Sequence, residues 1–229
     1  MAQADGATIH VTRPARSSDL TSDVTQVAAI LLAAGQSSRM GAFKPLLPFG
    51  NKTVIECCLD YLQRGGVETI VVVTGHRADE VRETLSKRPV TFAFNPDPNS
   101  EMGASIAAGV RELPPTCRAV LIALVDHPAV PPTVVSTLLE TWSNGARLVI
   151  PTWKARGGHP VLVDLSLKSE LLNLTATGGL RALFDAHRNE IARVVVDSPF
   201  IARDMDTWDD YRTLHEEVTG VPPLEPLPE

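Results

Sequence analysis

Continuous apolar runs alternate along this chain with segments whose apolar residues recur every three or four positions. Residues 27–32, 69–74, 119–125 and 148–152 are runs dominated by Val, Ile, Leu and Ala, the pattern of strands buried on both faces. Shorter runs at 90–94, 161–163 and 191–196 predict further strands. Between them, residues 53–64 place Val54, Cys57, Cys58 and Tyr61 or Leu62 on one helical face, and Gly65-Gly66 closes that helix. Residues 78–87, 105–113, 132–142, 165–172, 179–188 and 209–218 predict the other helices, with Pro132 in a first turn. The alternation predicts an α/β fold, three-layered and Rossmann-like, with a mostly parallel central sheet covered on both faces. Ligands of such sheets bind beyond the carboxyl ends of the strands. Three chemistry-bearing loops follow strands here, at 33–44, 74–77 and 126–128.

Composition narrows the class. A chain of 229 residues with 44% hydrophobic content supports one sizeable core. No repeat or linker divides it, so residues 26–220 are expected to form one domain. Residues 1–25 read as a polar, disordered extension without the apolar segment of a secretory signal, and 221–229, with four prolines, as a loose tail. The net charge of −6 gives no reason to expect nucleic acid or an anionic membrane as partner. No apolar run reaches the roughly 18 residues of a membrane span. Cys57, Cys58 and Cys117 make neither a disulfide framework nor a zinc or CxxC motif, which suits small core residues in a reducing compartment such as the cytoplasm.

The densest chemistry lies in VAAILLAAGQSSRMGAFKPLLPFG, residues 27–50. A strand feeds a loop of small residues, Gly35, Ser37, Ser38 and Gly41, and then Arg39 and Lys44 offer positive charge. Backbone N–H groups gathered at a strand end, with small side chains and nearby cations, make a phosphate cradle. The spacing is neither GxxxxGK[ST] nor GxGxxG. An ordinary turn with solvated Arg39 and Lys44 is the alternative. Asp126 ends the apolar run 119–125, where a phosphate-bound Mg²⁺ needs a carboxylate; a turn aspartate would look the same. In RDMDTWDDY, residues 203–211, an extended backbone puts Asp204 and Asp206 on one side, and Asp206 or Thr207 also suits a helix cap.

The 27–50 segment closely resembles the signature LAAGxSSRMGxxKxLLPxxG of the MobA-like nucleotidyltransferases, and within them the molybdenum cofactor cytidylyltransferases. The resemblance covers roughly residues 27–215. It implies an enzyme in which an acceptor phosphate attacks the α-phosphorus of a nucleoside triphosphate and pyrophosphate leaves. It also implies that Leu32, Ala33, Ala34, Gly35, Ser37, Ser38, Arg39 and Lys44 bind the nucleotide, with Arg39, Lys44 and Asp126 catalytic. Thr74 and Gly75 lie by the base, and Asn95 and Ser105, from NPDPNSEMGAS at 95–105, border the nucleotide. Ser105 is read as the start of a helix whose free N–H groups could bind a phosphate, or as an N-cap only. Met102, the GHP motif Gly158-His159-Pro160, and Arg181 are the acceptor contacts that the resemblance implies. The metal would be Mg²⁺, on Asp126 with Asp204 or Asp206, since 203–211 resembles the family's DIDTPEDY. His127 stands where many relatives carry Gln or Met, so no role is carried over to it.

The implied donor is CTP and the implied acceptor the molybdopterin-type cofactor, with a molybdoenzyme or its chaperone as a further partner. Relatives that use GTP read LAGG and RMGG; Ala34 and Ala42 here add methyl groups that favour a smaller base. GTP, another acceptor such as a sugar phosphate or methylerythritol phosphate, and a non-catalytic molybdopterin-binding chaperone stay open as alternatives.

Overall fold

The computed structural model describes residues 26–36, 40–97, 99–174 and 178–223. The expectations for the extension 1–25, for Ser37, Ser38 and Arg39, and for most of the C-terminal tail therefore lie outside the described residues.

The sheet is built from β1 (Val27–Ala33), β4 (Thr69–Thr74), β5 (Thr91–Phe94), β6 (Ala119–Leu124), β7 (Leu148–Trp153), β9 (Val161–Asp164) and β10 (Ile191–Val195), in the order β10-β7-β9-β6-β1-β4-β5. A short β8 (Arg156–Gly157) folds back on β7, and β2 (Pro48–Phe49) with β3 (Lys52–Thr53) makes a separate hairpin. Pairing is parallel at β1–β4, β1–β6, β4–β5 and β10–β7. Among the described long strands only β9 runs against its neighbours, pairing antiparallel with β6 and β7.

Among the described residues seven α-helices cover the sheet: α1 (Val54–Arg64), α2 (Ala78–Thr84), α3 (Met102–Arg111), α4 (Pro132–Ser143), α5 (Lys168–Leu172), α6 (Gly179–Ala186) and α7 (Trp208–Thr219). β1 shows why the layers form. All seven of its residues are buried, and alternate side chains serve opposite faces. Ala29, Leu31 and Ala33 pack with Ile55 and Leu59 of α1 and Val135 and Leu138 of α4. Ala28, Ile30 and Leu32 pack with Ile106 and Val110 of α3, Leu171 of α5 and Leu183 of α6. A third apolar cluster, with Met40, Leu47, Phe49, Met205, Tyr211 and Leu214, fastens α7 beside the loop that leaves β1. Tyr211 Oη donates to the Pro48 carbonyl at 2.6 Å within it. Capping boxes start both α1 and α7, at Thr53 with Glu56 and at Thr207 with Asp210.

Three expectations need correction. The helix placed at 105–113 begins at Met102, because burial of Gly103 draws those small residues into the first turn; Ser105 is therefore inside the helix and not its N-terminus. The segment 165–172 splits into a 3-10 turn at Leu165–Leu167 and α5, since the Asp164 carboxylate caps Ser166 N and tightens the start. The loop 154–160 contains β8, in a hairpin that holds Lys154 and Ala155 at positive φ, 47° and 64°. That turn geometry ordinarily calls for Asn-Gly, so the sequence carries no sign of it.

Candidate active site

The carboxyl ends of β1, β4 and β5 converge through backbone contacts. Asn95 N donates to the Thr74 carbonyl at 2.8 Å. Gly75 follows directly, and a Cβ there would lie 2.9 Å from the Ala34 carbonyl, 3.1 Å from Ala34 Cβ and 3.1 Å from the Asn95 carbonyl. Gly75 is thus the residue that lets the three loops close. Asn95 is buried, and its Nδ2 donates to Ser105 Oγ at 2.8 Å and Ser100 Oγ at 2.7 Å. Thr74 is buried with its hydroxyl on the Ala93 carbonyl. The polar side chains of Thr74, Asn95 and Ser105 all take part in shaping the loop. Beside Gly75 a cleft of about 460 Å³ is lined by Arg77, Ala78, Asp79, Glu80, Arg82 and Phe94. Phe94 is 52% exposed there, an unusual position for a phenyl ring at a strand end.

Ala34 lies against Gly75, whereas Ala42 packs against the third apolar cluster. The two alanines read together in the sequence occupy different surroundings.

The charged centre lies after β6. The main chain of Asp126 is tied to the segment before α7, Met205 N donating to the Asp126 carbonyl at 3.1 Å. The Asp126 carboxylate accepts a hydrogen bond from His127 Nδ1 at 2.8 Å on Oδ1. Burial alone would raise this carboxyl; the His127 hydrogen bond and the charges of His127, Lys44 and His159 outweigh it and hold it below the ordinary carboxylate value. Asp126 is therefore ionised near neutrality, and an ionised carboxylate only accepts, so Nδ1 of His127 carries the proton.

Lys44, buried at the end of the β1 loop, places Nζ 2.7 Å from Asp206 Oδ1. It stands between two expected metal carboxylates, paired to Asp206 and felt electrostatically by Asp126. Asp204 is exposed while the intervening Met205 is buried. Among the described residues no three His, Cys, Asp or Glu side chains stand together at metal-binding spacing.

The acceptor candidates divide. His159 abuts the centre: its ring meets that of His127 edge to face, 5.7 Å between centroids. Its Nδ1 is buried without a partner. Burial, then repulsion from His127, outweighs a backbone hydrogen bond at Ile122 and the Asp126 charge, and lowers its pKa to about 4. Gly158 is accounted for by packing, since a Cβ would come within 2.1 Å of the Ile201 carbonyl; His159 N also donates to that carbonyl at 2.7 Å. Pro160 is buried and Met102 exposed at the start of α3. Arg181 is almost fully exposed on α6, with Asp185 at 4.0 Å as its ion partner, so it joins none of the contacts around Asp126.

Residues 29–192 match the family model of the MobA-like NTP transferase domain. The chain belongs to this family. This nucleotidyltransferase is 27% identical to the molybdenum cofactor cytidylyltransferase of Escherichia coli K12, over 86% of the present chain and 100% of that protein. It is 32% identical to the nicotine blue oxidoreductase of Paenarthrobacter nicotinovorans, over 64% of this chain and 74% of that one. The fold matches the crystal structure of a Mycobacterium sp. strain JC1 homologue of Mycobacterium tuberculosis Rv0371c, with a TM-score of 0.76 at 27% identity, covering 86% of this chain and 98% of the other. A nucleotidyl transferase from Methanothermobacter matches with a TM-score of 0.73, also at 27% identity, over 84% and 97% of the two chains. No helix among the described residues of the nucleotidyltransferase is long and apolar enough to cross a membrane.

Sequence reading passed over His127. A histidine directly after a strand-ending aspartate was the available signal, and its value depended on the fold bringing the side chains together.

Proposed function

We propose that this nucleotidyltransferase transfers CMP from CTP to the phosphate of a molybdopterin-type cofactor, releasing pyrophosphate. The observation that carries the reading is the convergence at one end of the sheet of the Ala34, Gly75 and Asn95 backbones with Lys44 and Asp126. The likeness to the Escherichia coli cytidylyltransferase over its full length supports the acceptor class.

In this reading the base enters the cleft beside Gly75 and Phe94, and the methyl group of Ala34, lying against Gly75, favours a pyrimidine. Lys44 exchanges Asp206 for the triphosphate and neutralises charge near the α-phosphate, the role such transfers ask of a cation. The loop with Ser37, Ser38 and Arg39 holds the rest of the triphosphate. An oxygen of the acceptor phosphate bonds to the α-phosphorus as the bond to pyrophosphate breaks; the attacking oxygen is already ionised and needs no general base. His159, unprotonated near neutrality, is available as a hydrogen-bonding partner for the acceptor side. Asp126, ionised and half-enclosed, and Asp206 are hard oxygen donors that suit Mg²⁺, which takes one or two carboxylates with phosphate oxygens and water. When bound, that cation supplies Lewis-acid charge neutralisation at the phosphates.

The test is pyrophosphate release with CTP, GTP, UTP and ATP in the presence of Mg²⁺ and molybdopterin cofactor. CTP is expected to give the highest kcat/KM. A strong GTP preference overturns the cytidylyl reading, and release that occurs only with a sugar phosphate or methylerythritol phosphate overturns the acceptor. Asp126→Ala is expected to keep nucleotide binding and lose turnover.

A further inference from the structure

We propose that His127 is a positioning residue that fixes the Asp126 carboxylate for cation binding through its Nδ1–H. The inference rests on the reading of Asp126 as a metal carboxylate and adds a residue to it. Asp126 is held at three points. Its carbonyl accepts from Met205 N, its carboxylate Oδ1 accepts from His127 Nδ1 at 2.8 Å, and Lys44 lies within electrostatic reach. Only the second of these sets the side-chain rotamer. With Oδ1 held, rotation about the two side-chain torsions is arrested, and Oδ2 is the oxygen presented to an incoming cation.

The imidazole is well placed to do this. His127 is buried, its side chain 7% exposed. Its backbone N donates to the Leu124 carbonyl at 3.3 Å, which curls the chain back after β6. Its ring rests edge to face on that of His159, whose main chain is held by the His159 N bond to the Ile201 carbonyl. The donor is thus braced from two elements. Partners of this kind, which orient a metal ligand without touching the metal, commonly govern affinity by about 10–100-fold when removed.

The geometry distinguishes between substitutions. Asparagine places its amide nitrogen near the position of Nδ1, so His127→Asn keeps a donor for Oδ1. His127→Gln reaches toward the Nε2 position and misplaces it, and His127→Phe fills the volume with no donor. A residue that merely packs against His159 would favour Phe and Gln over Asn. Mn²⁺ binding followed by electron paramagnetic resonance, with and without CTP, is the direct readout, beside steady-state pyrophosphate release. His127→Gln and His127→Phe are expected to weaken Mn²⁺ by about ten-fold or more and to lower kcat with KM for CTP within about three-fold. His127→Asn is expected to restore both to within about three-fold of wild type. Equal behaviour of the Asn and Gln variants, or unchanged Mn²⁺ affinity in all three, overturns the proposal. The Mn²⁺ arm does not depend on the correct triphosphate or acceptor. If Asp126→Asn abolishes Mn²⁺ binding and His127→Gln leaves it untouched, this proposal alone fails; if wild type binds no Mn²⁺ with or without CTP, it fails together with the metal reading.

Discussion

Lys44 Nζ lies 2.7 Å from Asp206 Oδ1, joining the loop after β1 to the segment before α7 across 162 positions of sequence. The lysine side chain is 11% exposed and the aspartate 34%, so the pair is shielded enough for its loss to be felt. A side chain expected on the triphosphate is thereby stored on a side chain expected on the metal. Replacing Lys44 by Met is expected to lower kcat/KM for pyrophosphate release by about 100–1000-fold, the usual effect of removing one charge-stabilising donor. Asp206→Asn is expected to be deleterious as well, and the double variant less harmful than the product of the singles, because the residues share one interaction. Strict additivity in a double-mutant cycle would show that the two residues act independently in turnover and that the contact between them does not matter to it.

Glycine substitutions separate packing from function. At Gly75 an added methyl meets carbonyl oxygens at 2.9 and 3.1 Å, so Gly75→Ala is expected to cost about 1–3 kcal/mol by forcing the loops apart. It is also expected to raise KM for the triphosphate. At Gly158 the methyl would stand 2.1 Å from the Ile201 carbonyl, and the loss of stability is expected to be larger. Urea denaturation with parallel kinetics checks both; an undisturbed KM in a folded Gly75→Ala protein would dissociate this loop from nucleotide binding.

Acid sensitivity has a calculable sign. His159 has a pKa of about 4 in the fold against 6.5 for an ordinary histidine. Between those values the unfolded chain binds the extra proton, so stability is full above the upper value and falls as pH drops toward the lower. Asp126, held below its ordinary 3.8, contributes stability that is present above that value and lost only as pH falls through its folded pKa. His159→Gln is therefore expected to flatten the decline over the histidine window while leaving the more acidic loss in place. Urea midpoints measured at pH intervals from 7 downward would test this (approximate range set by histidine and carboxylate titration); an unchanged slope would show that His159 is solvated.

The cysteines are expected to be unreactive. Burial, then the Asp60 charge, pushes Cys57 to about 11, and burial in the core raises Cys58 well above the ordinary thiol value. At pH 8 a thiol of that kind is on the order of one part in a thousand thiolate. Iodoacetamide labelling of Cys57 is expected to be more than about a hundred-fold slower in the native protein than in urea. Rapid native labelling of Cys57 would contradict the packing described for α1.

Much of this was legible beforehand because it depends on local order. β1, β4 and β6 were visible as continuous apolar runs, since a strand buried on both faces needs no polar positions. The helices were visible by their periodicity, and α1 by Gly65-Gly66 at its end. What failed was tied to contacts far along the chain. The start of α3 moved to Met102 because burial outweighed the glycine at 103. β8 was invisible because Lys154 and Ala155 adopt positive φ without the residues that normally announce it. Gly158, which the resemblance places among the acceptor contacts, is also required by packing against Ile201, a neighbour 43 positions later in the numbering that no local pattern announces.

The sequence by itself determined the α/β class, the loop-after-strand placement of Lys44, Gly75, Asn95 and Asp126, and the family signature at 27–50, because periodicity and motif spacing are properties of neighbouring residues. Only the tertiary structure decided that Lys44 faces Asp206, that Asp204 and Arg181 stay exposed, that Ala34 and Ala42 part company, and that His127 holds Asp126. Those outcomes depend on which strand ends are brought side by side, and that is set by the order β9-β6-β1-β4-β5 and the packing of α7 on the β1 loop, long-range choices that no local pattern encodes.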